Sequence, residues 1–263
     1  MRGDILKKKL MVLCAVAIMI STCLTGCKMS SGKIRFGSAG IGGTYQIFGD
    51  TFANLISSKS KKYNIEVKTT AGSAANLRLL SKDYIQMAVA QMDLINDAYN
   101  RTGIFENDKK YQGYRAVASL YTEACQIVIP ADSDIESVDD LEGKKVCIGE
   151  EESGTEQNAL QILNAYGLNE KLVDTVNLNY TDAAKKLKSG DIDAFFCTAG
   201  VQTTVINELS KQCKIRLVSL DQKGISRLKK SYKFYTEYTI PAGTYVNQTK
   251  EVKTVGVKAV LLA

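Results

Sequence analysis

Residues 115–131 read RAVASLYTEACQIVIPA, and this stretch decides the fold. Two apolar runs are separated by one polar interruption, Tyr121-Thr122-Glu123. Strands in globular proteins are usually about 5–6 residues long, so an extended run of this length is unusual. The stretch therefore predicts a hinge strand that passes from one lobe of the protein into another.

Strands and helices alternate on both sides of the hinge strand. Before it, the pattern predicts strands at 34–39, 65–70 and 86–91 and helices at 45–57, 74–81 and 94–99. After it, the pattern predicts a helical turn from residue 138, strands at 145–149, 175–179 and 192–197 and helices at 156–166 and 182–189. Such alternation favours mostly parallel sheets covered by helices. We therefore expect an α/β protein with two lobes and a ligand cleft between them.

The N-terminal residues are typical of an export signal. Basic residues precede an apolar run at 10–20, which is too short to span a bilayer because spanning requires about 20 residues. Leu24-Thr25-Gly26-Cys27 follows and resembles the lipobox of bacterial lipoproteins, in which the cysteine is lipidated. We expect residues 1–26 to be a signal peptide and residues 27–33 a lipidated tether. A plain secretory cleavage site beside an incidental cysteine is the alternative.

Composition excludes several classes of function. Without residues 1–26 the net charge falls from +6 to +3, which is too mild to indicate a nucleic-acid partner. The chain has no histidine, so Ser-His, Cys-His and His-metal sites are excluded. No stretch after Cys27 is apolar over a length that crosses a membrane. We expect no catalytic residues, metal or cofactor, and a body that is tethered to the membrane at the cell surface or in the periplasm.

Four cysteines remain after the predicted lipidation site: Cys125, Cys147, Cys197 and Cys213. None has CxxC spacing, and all except Cys213 lie in apolar runs. Buried free thiols are the favoured interpretation. A disulfide between two of them stays open as the alternative for an exported protein.

Three loops rich in Gly, Ser and Thr lie where a predicted strand ends and a helix begins, at residues 39–45, 71–76 and 152–155. Free N–H groups and the positive end of a helix dipole favour an anion at such places. Each loop taken alone is also explained by capping, with Ser73 and Ser153 as N-caps. Three equivalent loops together predict one shared site. The loops match neither a dinucleotide fingerprint nor a phosphate-binding loop.

Several motifs follow one another along the chain in an order typical of one family. They are Gly37-Ser38-Ala39-Gly40, Gly42-Gly43-Thr44-Tyr45, Gly72-Ser73, Asn76 to Leu80, Ala118 to Tyr121, Ser153-Gly154-Thr155, Gly190 to Phe196 and Thr239 to Tyr245. In these motifs the chain resembles the TAXI family of TRAP-transporter solute receptors over essentially its whole mature length.

The resemblance implies a two-lobed type II periplasmic-binding-protein fold that is not an enzyme. It implies lobes at 34–122 and 123–238, a return segment at 239–263, and delivery of the solute to a TRAP permease in the membrane. The implied solute is glutamate, glutamine or a related dicarboxylate. The implied ligand contacts are Thr44, Tyr45, Ser73, Asn76, Gln91, Ser153, Thr155, Asn158, Thr198 and Gly200. The other large branch of TRAP-transporter receptors binds its carboxylate with an arginine, and neither Arg78 nor Arg115 matches that residue.

One departure and two rival functions accompany the resemblance. Family members continue with further helices, whereas this sequence stops inside an apolar run, so we expect a return segment that is truncated at its C-terminal end, either in this sequence only or in the protein itself. The first rival is an exported enzyme with Glu150, Glu151 and Glu152 as acid and base beside Ser153. The second is a lipoprotein that binds a solute in the same cleft but serves a sensory partner.

Overall fold

The computed structural model describes residues 32–108 and 111–263. The predicted signal peptide and lipidation site at Cys27 lie outside the described residues. Within the described ranges, ten strands form one mixed sheet. Seven α-helices accompany the sheet. None of the described helices combines the length and the apolar character that a bilayer crossing needs.

The first lobe contains the strands and helices that precede residue 116. Its parallel strands are β1 (Gly32–Gly37), β2 (Tyr63–Lys68) and β3 (Met87–Gln91), with β1 in the middle. Its helices are α1 (Thr44–Lys59), α2 (Ser73–Ser81) and α3 (Met92–Asn100).

The second lobe contains the strands and helices between residues 130 and 252. Its strands are β5 (Lys145–Gly149), β6 (Asp174–Asn177), β7 (Ala194–Ala199), β8 (Ile215–Leu217) and β9 (Thr236–Ile240). Its helices are α4 (Gly154–Ala165), α5 (Tyr180–Ser189), α6 (Thr204–Gln212) and α7 (Gln222–Ser231). The strand β5 pairs in parallel with β6 on one side and β7 on the other, which repeats the arrangement of the first lobe.

Two long antiparallel strands join the lobes, β4 (Ala116–Pro130) and β10 (Val252–Leu262). The strand order of the whole sheet is β2-β1-β3-β10-β4-β7-β5-β6, with β8 on β4 and β9 on β10. The first half of β4 pairs with β10, and its second half pairs with β7 and β8. The strand β10 runs the other way, from β9 to β3. Ala124 pairs with both Gly256 and Ala199, so the chain passes between the lobes at this point. The predicted hinge strand at 115–131 is therefore β4.

Apolar packing covers both faces of the sheet in the second lobe. Ile127 and Ile129 of β4 pack into one buried cluster, whereas Val128 between them packs into the opposite cluster. This alternation is the period of two that a strand imposes on its side chains. Because both faces are covered, β4 reads as a continuous apolar run rather than an alternating one.

The predicted strands and helices agree with the structure within two or three residues, and β5 agrees at both ends. The helical turn predicted from residue 138 is a short 3₁₀ turn, Asp139–Leu141. Sequence analysis assigned no structure to α6, β8 and α7, and it recognised β9 only as part of a motif. The four cysteines of the described residues are free, and Cys125, Cys147 and Cys197 are buried, as predicted.

Candidate functional site

A small cavity lies between the lobes at the carboxyl ends of the strands. Loops after β1 and β2 form one wall, loops after β5 and β6 form the other, and the end of β7 closes the bottom. Open α/β sheets bind ligands at this edge. The cavity volume is about 40 Å³, which is room for roughly three water molecules. The lobes therefore meet closely, and an amino-acid-sized solute requires the cleft to be wider than it is in this structure.

Three helix N-termini point at the cavity, one from each loop singled out in the sequence. The helices α1 and α2 begin after Gly43 and Gly72, and neither N-cap offers a side-chain hydrogen bond to the first turn. Gly72 has a φ of +128°, a conformation that favours glycine. The first-turn N–H groups of α1 and those of Ser73 and Ala74 in α2 are thus available to an anion, whereas the N–H of Ala75 donates to the carbonyl of Glu152. In α4 the cap is Ser153, whose hydroxyl accepts from the N–H of Glu156 at 3.0 Å.

Seven of the ten predicted ligand contacts line this cavity. They are Thr44, Tyr45, Ser73, Gln91, Ser153, Thr155 and Thr198. The hydroxyl of Ser73 accepts from the N–H of Gln91 at 3.1 Å and lies beside the hydroxyl of Tyr45. Thr155 hydrogen-bonds the hydroxyl of Tyr180 at 2.6 Å. The structure therefore brings hydroxyl groups from both lobes to one place.

The other three predicted contacts lie away from the cavity lining. Asn76 is fully buried, and its amide donates to the carbonyls of Ser38 at 2.7 Å and Val89 at 2.9 Å. These bonds tie β3 to the loop after β1. Gly200 packs against Thr44 beside the cavity.

Asn158, the third of these residues, joins the lobes behind the cavity. Its amide donates to Asp93 of the first lobe at 3.3 Å and to the hydroxyl of Tyr235 at 2.8 Å. Asp93 is buried, and burial raises the pKa of its carboxyl to about 6. One oxygen of Asp93 and the amide oxygen of Asn158 have no hydrogen-bond partner in the described structure.

Glu123 is a cavity residue that sequence analysis missed. It lies on β4 where the strand leaves the first lobe, and its side chain is only 2% exposed. Its carboxylate accepts a hydrogen bond from the hydroxyl of Tyr45 at 2.7 Å. Burial raises the pKa of this carboxyl to about 8, although Tyr45 and Gln91 partly offset the effect through hydrogen bonds. The signal in the sequence was a single acidic residue in an otherwise apolar strand.

The carboxylates of the rival enzyme hypothesis have different surroundings. Glu150 lines the cavity, and burial raises the pKa of its carboxyl. Glu151 is exposed. Glu152 lies 2.9 Å from the guanidinium of Arg78 and is therefore engaged in an ion pair between the lobes. In the described ranges, no group of three or more acidic or cysteine side chains is arranged to hold a metal ion.

Further contacts hold the cleft closed. The N–H of Ala75 donates to the carbonyl of Glu152 at 3.2 Å, and the hydroxyl of Thr203 donates to the carbonyl of Gly42 at 3.0 Å. The amide of Gln91 lies against Gly154, where an added Cβ would be 2.3 Å from the amide oxygen. A glycine at this position therefore allows the lobes to approach.

The strand order, the two connecting strands and the cleft define a protein with a periplasmic-binding-protein-like fold. Solved structures share this fold. The alkanesulfonate-binding protein SsuA from Xanthomonas axonopodis pv. citri, bound to MOPS, has a TM-score of 0.52 at 15% identity, over 88% of this chain and 65% of that one. Holo ArgBP from T. maritima has a TM-score of 0.53 at 14% identity, over 89% of this chain and 83% of that one.

The chain belongs to the NMT1-like family, whose model matches residues 36–263. It is shorter than some of the proteins that share its fold. It spans 65% of the Xanthomonas sulfonate-binding protein and 61% of the periplasmic aliphatic sulphonate binding protein SsuA from Escherichia coli.

Proposed function

We propose that this protein is an extracytoplasmic receptor that captures a small polar solute by closing its two lobes around it. One observation carries the proposal: hydroxyl groups from both lobes and uncapped helix N-termini from the first lobe meet in one cavity beside the two connecting strands. A solute held by both lobes favours the closed form because it loses half of its contacts when the lobes separate. SsuA bound to MOPS and the arginine-bound form of ArgBP are precedents for small ligands on this fold.

The proposed solute is glutamate, glutamine or a related dicarboxylate, delivered to a TRAP permease. The free N–H groups at the starts of α1 and α2 support a carboxylate-bearing solute. The TRAP partner rests on the motif resemblance to the TAXI family. Anchoring through lipid on Cys27 rests on the lipobox-like motif at residues 24–27. The proposed role is transport and not catalysis.

A thermal-shift screen with amino acids, dicarboxylates, keto acids and sugars tests this proposal. A ligand at about 100 times its dissociation constant adds ~2.7 kcal/mol to the unfolding free energy. For a chain of this size, we expect Tm to rise by roughly 5–10 °C. The bound compound should be recovered unchanged, since turnover would support the enzyme instead.

A variant that blocks the cleft provides the matched control. Gly154→Val places a side chain where the amide of Gln91 now lies, so this variant should melt cooperatively but lose the ligand-induced shift. Gly32→Ala, at a position with open space around it, should keep the shift. If no carboxylate compound shifts the Tm of the wild-type protein, the assigned solute class is wrong.

A further inference from the structure

The cavity contains buried acceptors that lack a cationic partner. Glu123 and Glu150 both line it, and among the described residues that line it there is no Lys or Arg. The amide oxygen of Gln91, whose side chain is 2% exposed, also lines the cavity and has no hydrogen-bond partner. The Glu123 carboxyl group, which has only neutral donors, and the free amide oxygen of Gln91 thus lack a cationic donor in the cavity lining.

Burying an uncompensated carboxylate is costly, and the protein meets this cost only in part. The donors to the Glu123 carboxylate are both neutral: the hydroxyl of Tyr45 at 2.7 Å and the amide of Gln91. The pKa of Glu123, raised to about 8, reflects this missing compensation. A cation that enters the cavity would restore the charged form of the carboxylate.

We infer that Glu123 and Gln91 hold the ammonium group of an α-amino acid, and that Glu123 thereby selects amino acids over dicarboxylates and keto acids of the same length. This inference rests on the proposed receptor function and specifies its substrate class. The uncapped starts of α1 and α2 take the α-carboxylate, which lies one carbon away from the ammonium. The cavity thus offers donors for one group of the solute and acceptors for the other.

The chemistry of an ammonium matches this end of the cavity. An ammonium has three N–H donors and no acceptor, so one group can serve the Glu123 carboxylate and the Gln91 oxygen together. A 2-keto acid carries a carbonyl oxygen at that position and leaves both acceptors without donors. Since charge-assisted hydrogen bonds contribute about 1.5–3 kcal/mol, the amine should raise affinity on the order of 10- to 100-fold.

Calorimetric titration with matched ligand pairs tests the inference. L-glutamate is compared with glutarate and 2-oxoglutarate, and L-glutamine is compared with glutaramate. In the wild-type protein, each amine-bearing member should bind about 10- to 100-fold more tightly than its partner. Glu123→Gln should reduce that ratio to near one by weakening the amino acids while leaving glutarate unchanged or stronger.

The variants are chosen so that misfolding is recognised. Glu123→Gln keeps the shape of the side chain and an acceptor for Tyr45, and its cooperative melt is checked first. Tyr45→Phe, which removes the hydroxyl but keeps the carboxylate, should retain the preference for amines. Glu251→Gln, at an exposed position outside the cavity, should bind like the wild-type protein.

The outcomes separate this inference from the proposed function. Binding of glutarate or 2-oxoglutarate as tightly as L-glutamate would overturn the ammonium assignment but leave the receptor proposal standing. Equal weakening of all ligands by Glu123→Gln would do the same. Binding of none of the five compounds by a folded wild-type protein would overturn the ammonium assignment together with the proposed solute class.

Discussion

At the scale of a single residue, the burial of Glu123 makes the stability of the protein depend on pH. The pKa of this carboxyl in the folded protein is raised from 4.5 to about 8, mainly because burial removes it from water. Its contribution to stability is therefore fully present below pH 4.5 and is lost as the pH rises through 8. Asp93, whose pKa is raised from 3.8 to about 6, acts in the same direction over a lower range.

We expect Glu123→Gln to remove most of the pH dependence between pH 6 and 8. The wild-type protein should lose on the order of 2 kcal/mol of unfolding free energy over this interval. The reason is that the Glu123 carboxyl still holds a proton in the folded state at these pH values, whereas it has already lost that proton in the unfolded state. The amide has no proton to lose, so the variant should lose far less. Urea unfolding at both pH values measures the difference, with Glu251→Gln as the control that retains the wild-type slope. An equal slope in both variants would contradict the assignment.

The same residue shows where prediction from the sequence stops. The loops that contain Thr44, Ser73 and Thr155 were predicted from local patterns, since each lies where a strand ends and a helix starts, whereas these residues as individual contacts were implied by the family resemblance. Glu123 is buried by the lobes and by β10, and Val257, the residue of β10 that pairs with Glu123, is far away in sequence. Burial that depends on such distant segments leaves no local signature, so Glu123 was read only as a polar interruption.

At the scale of elements, the helix with the clearest end signals in the sequence is α5. The helix α5 has Asn179 as its N-cap, which accepts from the N–H of Asp182 at 2.9 Å, and it ends at Gly190 in the left-handed conformation. The strands β8 and β9 have no comparable signal. They are short, three and five residues, and exist as strands because they pair with β4 and β10. Their prediction requires the partner strands to be known first.

Where the two long strands β4 and β10 pair, Gly256 leaves no room for a larger side chain. At Gly256, an added Cβ would lie 2.6 Å from the methyl carbon of Thr122 and 3.0 Å from the carbonyl oxygen of Glu123. Gly256→Ala should therefore lower the unfolding free energy by about 1–3 kcal/mol, the usual cost of overpacking. Gly32→Ala, where no atom lies within 4 Å of the added carbon, is the matched control. Equal unfolding midpoints in urea would show that the crossing relaxes to accept the methyl group.

At the scale of the whole molecule, two strands join the lobes and a small set of contacts holds them together. The N–H of Ala75 donates to the carbonyl of Glu152 across the cleft, whereas the next amide, that of Asn76, bonds within the first lobe. Separation of the lobes breaks the first bond and spares the second. The rate of amide hydrogen exchange at Ala75, compared with the rate at Asn76, therefore reports how often the cleft opens.

We expect Glu152→Gln to speed exchange at Ala75 but not at Asn76. The substitution removes the ion pair with Arg78. The side chain of Arg78 is 23% exposed and that of Glu152 is 44% exposed, so solvent partly screens the pair. A pair of this kind contributes about 0.2–1 kcal/mol, which corresponds to roughly 1.5- to 5-fold faster exchange at Ala75. The effect should shrink in high salt, since ions screen the wild-type pair as well. Glu151→Gln changes the adjacent exposed carboxylate and should leave the rate alone. If both variants exchange like the wild-type protein, the ion pair does not stabilise the closed form, and closure depends on the buried contacts at Gly154 and behind the cavity.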